Sequence, residues 1–350
     1  MHIVHDDGAG LVKAGISSNG MQVVAFPALV LPVDVGMDEE YLSRPDVIVI
    51  REAYHSYLVG DAARMQGVAS YSTSNYRYTG LDASIRLYAA LSELLPPGEH
   101  TIKLVAGANV EGYKALQKEI RDFFIGSHDF ARGNTSYRVN IEEVHVTSQP
   151  RGAVRYFGAH APGELKQALQ KRPLNKANLI GIDIGTFTTD LIALRPMKQP
   201  DGSTEVQEIY NRSKALRFGV HTLRNKVAEL LQRLQGSPAP PELWEVDRAL
   251  TERVVTIAGR DEDITKEVAG IRDALWARAY EEIRAHFEGF STHYLLVAGG
   301  GATDTTFGPC VRKTWGGKVP LGIPEKHAPH EAPVRGYAEM AVQRWGRDDG

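Results

Sequence analysis

Two short segments of the sequence contain the residue types that bind a phosphate chain. Asp6-x-Gly8 and Asp183-x-Gly185 each follow an apolar run typical of a buried strand, and each precedes a second such run. Glycines let the backbone of a tight turn approach a phosphate, and the exposed N–H groups of such a turn form an anion-binding nest. An aspartate beside each turn offers the oxygen ligands that Mg²⁺ prefers. The repeated pattern predicts two turns that together hold a magnesium–polyphosphate.

Further side chains with phosphate-binding chemistry lie close to the two turns. Lys13 follows the first turn and can bring a compact positive charge to a phosphate. Hydroxyl donors follow the second turn, at Thr186, Thr188 and Thr189. Each feature alone also has a structural explanation, because Asp-x-Gly is common in turns, lysines are common at surfaces and threonines favour strands. The repetition of one strand–turn–strand pattern favours the binding interpretation.

Strand and helix signals surround both turns. A hairpin is indicated at Ser18-Asn19-Gly20 after the first turn and at Pro200-Asp201-Gly202 after the second. Hydrophobic spacing predicts strands over 102–106, 139–146 with an irregularity in the middle, 179–182 and 294–298. It predicts helices over 84–95, 163–171, 220–234, 264–283 and 337–345, and a hinge at 173–176. Strands that alternate with helices indicate the α/β class.

Bulk composition limits the classes of function. A chain of 350 residues favours two domains, and a net charge of −3 indicates neither direct nucleic-acid binding nor an anionic membrane partner. The single cysteine, Cys310, excludes a disulfide framework and fits a reducing compartment. The first ten residues do not follow the pattern of a signal peptide, and no apolar run is long enough to cross a membrane. We therefore expect a soluble, cytoplasmic protein.

Several motifs together resemble those of the actin/Hsp70/sugar-kinase superfamily, and most closely the prokaryotic and archaeal actin-like proteins of the ParM type. Residues 5–13 resemble the first phosphate motif, 182–190 the second and 296–302 the adenosine motif. Residues 146–153 and the helix that follows Arg335 resemble the two segments that connect the lobes. The motifs occur in the family's order from end to end of the chain, whereas the intervening segments carry little similarity.

The resemblance implies an actin-like (ribonuclease H-like) α/β fold, with duplicated mixed-sheet domains in two lobes around a nucleotide cleft. The first lobe would comprise residues 1–172, including a small subdomain at about 33–79. The second lobe would comprise residues 173–350, including a helical subdomain at about 216–290. The final helix would return towards the first lobe.

The resemblance also implies a role for each motif residue, with ATP or ADP and Mg²⁺ as cofactors. Asp6 and Asp183 would hold Mg²⁺ through water, and Gln149 and Asp183 would be catalytic, Gln149 by orienting the attacking water. The nucleotide-binding residues would be Gly8, Ala9, Gly10, Lys13, Gly185, Thr186, Thr188, Gly219, Lys226, Gly299, Gly300 and Gly301. Gly219 and Lys226 would approach the purine or ribose. For Gln149, a structural role as a loop residue before Pro150 stays open.

The implied function is a filament-forming ATPase that hydrolyses ATP slowly and assembles head to tail with copies of itself. A DNA-bound adaptor protein would be a partner if the filament segregates plasmids, and a cytoskeletal role in cell shape is another option. Two alternatives stay open. One is a small-molecule kinase of the same superfamily, for which Asp82 is a candidate base. The other is a scaffold that keeps the fold and does not hydrolyse ATP.

Overall fold

A computed structural model describes residues 1–17, 21–33, 37, 39–42, 44, 46–66, 75–198 and 204–346. Within these ranges the chain divides into two compact units. The first unit comprises Met1–Ala159 with Glu331–Gly350, and the second comprises His160–His330. The predicted lobe boundary between residues 172 and 173 stays a prediction. The predicted hinge at 173–176 contains a short 3₁₀ helix, Leu174–Lys176, inside the second unit.

The described strands, in chain order, are β1 (His2–Asp7), β2 (Leu11–Ile16), β3 (Val23–Pro27), β4 (Val30–Pro32), β5 (Ile48–Glu52), β6 (His55–Val59), β7 (Gly98–Ala108), β8 (Gly126–Arg132), β9 (Thr135–Ser148), β10 (Leu179–Ile184), β11 (Thr189–Lys198), β12 (Thr204–Glu208), β13 (Lys214–Leu216), β14 (Val254–Ile257), β15 (Arg260–Asp263), β16 (Tyr294–Ala298) and β17 (Leu321–Gly322).

The described α-helices are α1 (Glu39–Leu42), α2 (Asp61–Met65), α3 (Leu81–Leu94), α4 (Val110–Phe124), α5 (Gln149–Ala159), α6 (Gly163–Lys171), α7 (Val220–Gln235), α8 (Leu243–Thr251), α9 (Thr265–His286), α10 (Gly308–Trp315) and α11 (Ala332–Trp345). None of the helices in the described residues has the length and apolar character that a membrane span requires.

A mixed sheet organises the first unit, and helices cover both of its faces. The described strands follow the order β3-β2-β1-β7-β9-β8-β5-β6-β4, with β1, β7 and β9 parallel to one another. Successive residues of β1 face opposite sides, because side chains alternate along a strand. Ile3 packs in the cluster that contains Leu87 of α3, whereas Val4 packs with Val334 of α11. Coverage on both faces explains why β1 is buried along its whole length.

The second unit repeats the central construction of the first. Its main described sheet has the order β12-β11-β10-β16-β17, and β13 also pairs with β11. β10 is antiparallel to β11 and parallel to β16, as β1 is antiparallel to β2 and parallel to β7. A second apolar cluster joins Ile182 and Val297 of this sheet to Leu223 of α7. The α/β class and the duplicated mixed-sheet domains are therefore confirmed.

Several local predictions are also confirmed, and four need correction at their start. Strands β7 and β9 begin at Gly98 and Thr135, four residues earlier than predicted. Strand 294–298 and helix 163–171 have the predicted bounds, and the irregular pairing of β7 with β9 leaves Glu142 as an extra residue. Helix α3 begins at Leu81 and α11 at Ala332, earlier than predicted, and the early residue Pro333 suits a helix start. The predicted turns at 18–20 and 200–202 lie outside the described residues, although the strands that flank them pair antiparallel.

Candidate nucleotide site

The first phosphate turn is a three-residue connection between β1 and β2. Its N-terminal end is tight, because the Gly8 N–H donates to the Asp6 carbonyl at 2.9 Å. A Cβ atom at Gly8 would lie 2.5 Å from the Leu11 carbonyl oxygen, so this position requires glycine. The antiparallel register places Asp6 directly opposite Lys13. The predicted first phosphate motif therefore forms a tight β-hairpin, in which Asp6 and Lys13 face each other across the two strands.

Three predicted site residues meet at the carboxylate of Asp6. This carboxylate is fully buried, the Lys13 ammonium donates to its Oδ2, and the Gln149 amide donates to its Oδ1 at 2.7 Å. Gln149 is the first residue of α5, directly after the end of β9. The lysine and the amide therefore supply the hydrogen-bond partners that a buried carboxylate needs. Ala9 and Gly10 complete the turn and are partly buried.

A second charged cluster lies on the opposite face of β1 and was not predicted from the sequence. Asp7 accepts two hydrogen bonds from Arg86 of α3, at 2.7 and 2.8 Å, and Arg77 lies 3.6 Å from the same carboxylate. Burial raises the pKa of Asp7, but the two guanidiniums outweigh it and lower the pKa to about 2. The feature of the sequence that could have indicated this cluster is Arg86, a charged residue within an otherwise apolar stretch of a helix.

The second phosphate turn connects β10 and β11. Asp183 at the end of β10 is buried and lies opposite Asp190 in the register. The Gly185 N–H donates to the Thr188 carbonyl at 2.8 Å, and the Thr188 hydroxyl donates to Asp190 at 3.2 Å. Asp190 thus stabilises the turn. Thr189 donates to the Phe218 carbonyl at 2.8 Å, which is a structural contact.

The start of α7 packs directly on the second turn. The N–H groups of Val220 and His221 donate to the carbonyls of Gly185 and Thr186, at 3.1 and 2.7 Å. A Cβ atom at Gly219 would lie 2.5 Å from the Thr186 carbonyl oxygen, so only glycine allows this approach.

Lys226 lies further along α7, away from the helix start. Its ammonium forms an ion pair with Glu229 at 2.8 Å on the exposed surface. This contact does not bring Lys226 to the turn, in contrast to Gly219.

The loop at 299–301 packs against the end of β10. Gly299 has φ +89°, and a Cβ atom there would lie 2.1 Å from Oδ1 of Asp183. A Cβ atom at Gly301 would lie 2.2 Å from a methyl carbon of Ile184, whereas Gly300 faces open space. The predicted adenosine motif and the second phosphate motif therefore meet at Asp183.

Each turn, taken by itself, offers a carboxylate of the kind that a magnesium ion uses. Mg²⁺ retains several waters and binds proteins through one or two carboxylates together with substrate phosphates. Asp6 in the first unit and Asp183 in the second are each the penultimate residue of a buried strand beside a glycine turn, so each unit contributes one such carboxylate. Among the described residues, no group of three or more histidine, cysteine, aspartate or glutamate side chains is arranged to hold a metal.

Comparison with known protein families gives two matches. The model described as "Actin like proteins N terminal domain" matches residues 5–152, and that described as "Archaeal actin homologue MreB-like, C-terminal" matches residues 181–306. The first match includes the turn at Asp6 and ends just after Gln149, and the second includes the turn at Asp183 and the loop at 299–301. The chain therefore belongs to the actin-like proteins.

Solved structures give the same fold. The archaeal actin homologue Ta0583 matches with a TM-score of 0.76 and 18% identity, over 98% of this chain and 99% of that one. A 15-stranded ParM filament from Clostridium botulinum matches with the same score, identity and coverage. The complex of Ta0583 with ADP has a TM-score of 0.74 and 17% identity over 98% and 99% of the two chains. A search of curated proteins by sequence finds no match.

Proposed function

We propose that this protein binds ATP with Mg²⁺ and assembles with copies of itself into a filament, which slow ATP hydrolysis loosens. The observation that carries the proposal is the duplicated turn, in which a buried aspartate precedes a glycine. A Cβ atom added to that glycine would lie 2.5 Å (Gly8) or 3.0 Å (Gly185) from a backbone carbonyl oxygen that follows it in the chain. Relatives of the same fold include one described in complex with ADP and one described as a filament. We further propose a cytoplasmic location and, as a role, cytoskeletal or DNA segregation through an adaptor protein.

The residues of the first turn have complementary tasks in this proposal. Ala9 and Gly10 would donate backbone N–H groups to the phosphates, and Gly8 keeps the turn tight. Lys13, which donates a hydrogen bond to Asp6, would redirect its ammonium to a phosphate, because a polyphosphate carries more charge than one carboxylate. Asp6 would then be free to hold a water of the metal ion.

The residues of the second unit would bind the remaining parts of the nucleotide. Gly185, Thr186 and Thr188 would bind phosphate, and Gly299, Gly300 and Gly301 would let the adenosine lie close to the backbone. A bound Mg²⁺ would neutralise phosphate charge and orient the phosphates. Gly219 contributes by allowing α7 to approach the turn, and Lys226 would have to leave Glu229 in order to reach a nucleotide.

Hydrolysis would depend on Gln149 and Asp183. Gln149 is neutral, so it would orient the attacking water without taking its proton, and Asp183 would polarise that water. Phosphoryl transfer to water depends mainly on positioning and charge neutralisation, so a site with these residues supports a slow rate. The amide of Gln149 already has a defined position at Oδ1 of Asp6.

The test is high-speed pelleting and light scattering over a protein concentration series with Mg–ATP, Mg–ADP or no nucleotide. We expect polymer above a critical concentration with ATP, and scattering that decays as ATP is consumed. Gln149→Ala should assemble with ATP and decay much more slowly, because it keeps the phosphate contacts and loses water positioning. Binding of ATP without assembly at any concentration would refute the filament.

The same series separates the two alternatives. A small-molecule kinase would accelerate ATP turnover when sugars are added, and Asp82→Asn would abolish that increase. Asp82 is exposed at the start of α3, so in our proposal this variant behaves as the wild type. A scaffold would assemble and leave ATP intact over the whole experiment.

A further inference from the structure

A buried cluster of charges lies directly behind the first phosphate turn. Arg86 holds the Asp7 carboxylate through two hydrogen bonds, and Arg77 lies 3.6 Å from that carboxylate. Asp7, Arg77 and Arg86 are 3%, 8% and 2% exposed, so the cluster is shielded from water. A charge in such surroundings is screened far less than a charge at the surface.

The cluster does not balance its own charge. Two guanidiniums share one carboxylate, which leaves one positive charge in excess. On the other face of β1, Lys13 and Asp6 form a neutral pair. Asp82, the other acid that acts on Arg86, is exposed and therefore screened by solvent. The buried surroundings of the turn thus carry a net charge of about +1 on the two faces of β1.

Arg77 also fixes the backbone that leads into the turn. Its guanidinium donates a hydrogen bond to the Asp7 carbonyl, which belongs to the peptide that joins Asp7 to Gly8. Arg86 in turn donates to the Arg77 carbonyl at 2.8 Å. The Nε of Arg77 is buried and has no hydrogen-bond partner among the described atoms, so the carboxylate does not use the whole guanidinium.

We propose that Arg77 is a positioning residue for phosphate binding: it orients the Asp7–Gly8 peptide and holds a buried positive charge behind the turn, and so selects a polyphosphate over the unphosphorylated nucleoside. The inference rests on the proposed nucleotide binding. Arg77 does not need to touch the phosphate. Its effect is expected on the phosphate-dependent part of the affinity and not on the part that comes from the adenosine.

The test measures the dissociation constants of Mg–ATP and of adenosine by displacement of a fluorescent ATP analogue. Arg77→Gln keeps a hydrogen-bond donor and removes the charge, and Arg77→Lys keeps the charge and removes the planar guanidinium. The matched control is Arg51→Gln, which makes the same change of charge at an exposed arginine of the same unit that contacts Asn134. Thermal melting shows whether each variant is folded.

We expect Arg77→Gln to weaken Mg–ATP binding about tenfold, because the charge acts from behind the turn and not in direct contact, and the interaction of two charges falls with their separation. Adenosine affinity should stay within twofold of the wild type, Arg77→Lys should recover part of the ATP affinity, and Arg51→Gln should change neither constant. Equal weakening of ATP and adenosine, or unchanged ATP affinity in a folded Arg77→Gln, would overturn the inference. A wild type that binds neither ligand would instead refute the proposed function.

Discussion

Replacement of Gly299 by alanine tests the contact between the loop at 299–301 and Asp183. Gly299 has φ +89° and ψ 165°, a backbone region that is nearly restricted to glycine, and an alanine held there costs on the order of 1–3 kcal/mol. The new Cβ would also lie 2.1 Å from Oδ1 of Asp183 and 2.4 Å from the Ile184 carbonyl oxygen. Relief of such overlap costs about another 1–3 kcal/mol. The expected loss in the free energy of unfolding is therefore roughly 2–6 kcal/mol.

The assay combines urea unfolding with titration of Mg–ATP, and Gly317→Ala is the control. Gly317 also has a positive φ, +73°, but an added Cβ meets nothing within 4 Å. The control should lose about 1 kcal/mol, because it carries backbone strain without overlap. Gly299→Ala should in addition weaken ATP binding at least about tenfold, because Asp183 must move. Equal stability loss in the two variants, together with wild-type ATP affinity in Gly299→Ala, would refute the reasoning.

Three further predictions concern stability and are measured by urea unfolding followed by circular dichroism. The pKa of Asp7 is about 2 in the folded protein and about 3.9 in the unfolded chain, so its ionised form contributes about 2 kcal/mol to the free energy of unfolding above pH 4. This contribution is lost as the pH falls towards 2, and Asp7→Asn should remove the pH dependence. Burial, together with two nearby arginines, lowers the pKa of His145 to about 4, so on acidification the unfolded chain takes up the proton before the folded protein does. The free energy of unfolding should therefore fall by about 2 kcal/mol between pH 6.5 and 4. A His145→Gln variant with the same dependence of stability on pH would contradict this. Gly336→Ala places a Cβ 1.7 Å from the Gly152 carbonyl oxygen and should lower the free energy of unfolding by at least about 3 kcal/mol. The control Gly270→Ala, in open space within α9, should raise it by up to about 1 kcal/mol.

The parts of the fold that repeat a short local pattern could be predicted from the sequence. A short apolar run that contains Ile3 and Val4 comes before Asp6, and a longer one comes before Asp183. Each run is followed by a glycine turn and a second strand. Such local patterns report directly on burial and on turn geometry. The alignment of Asp6 with Lys13 also follows from a three-residue turn, because the turn sets the register of the hairpin.

Other parts depend on contacts between distant residues and therefore left no local signal. Asp7 and Arg86 are 79 positions apart, and neither position alone indicates a buried ion pair. Likewise, the meeting of Gly299 with Asp183 requires the parallel pairing of β16 with β10, which no short window of sequence contains. Helix α8 and the hairpin of β14 and β15 were missed because they are short: α8 has nine residues and each strand has four, so each gives few apolar positions from which to recognise a period.

The side-chain contacts also refine the roles predicted for Gly219 and Lys226. Gly219 was assigned to the nucleotide, and the structure gives it a definite task in the packing of α7 on the second turn. Lys226, assigned on the same grounds, has Glu229 three residues further along the helix, and the two pair at the surface. The i,i+3 spacing of the two residues already favours this surface pair over a contact with the nucleotide.

Calorimetric titration of Mg–ATP into the purified chain tests the central claim most directly. We expect one nucleotide per chain, with affinity reduced at least about tenfold in Lys13→Met and in Asp183→Asn, because these two residues flank the turns. The affinity should be unchanged in Asp82→Asn, because Asp82 is exposed. Saturable binding that neither turn variant weakens, or no binding at all by the folded wild type, would contradict it.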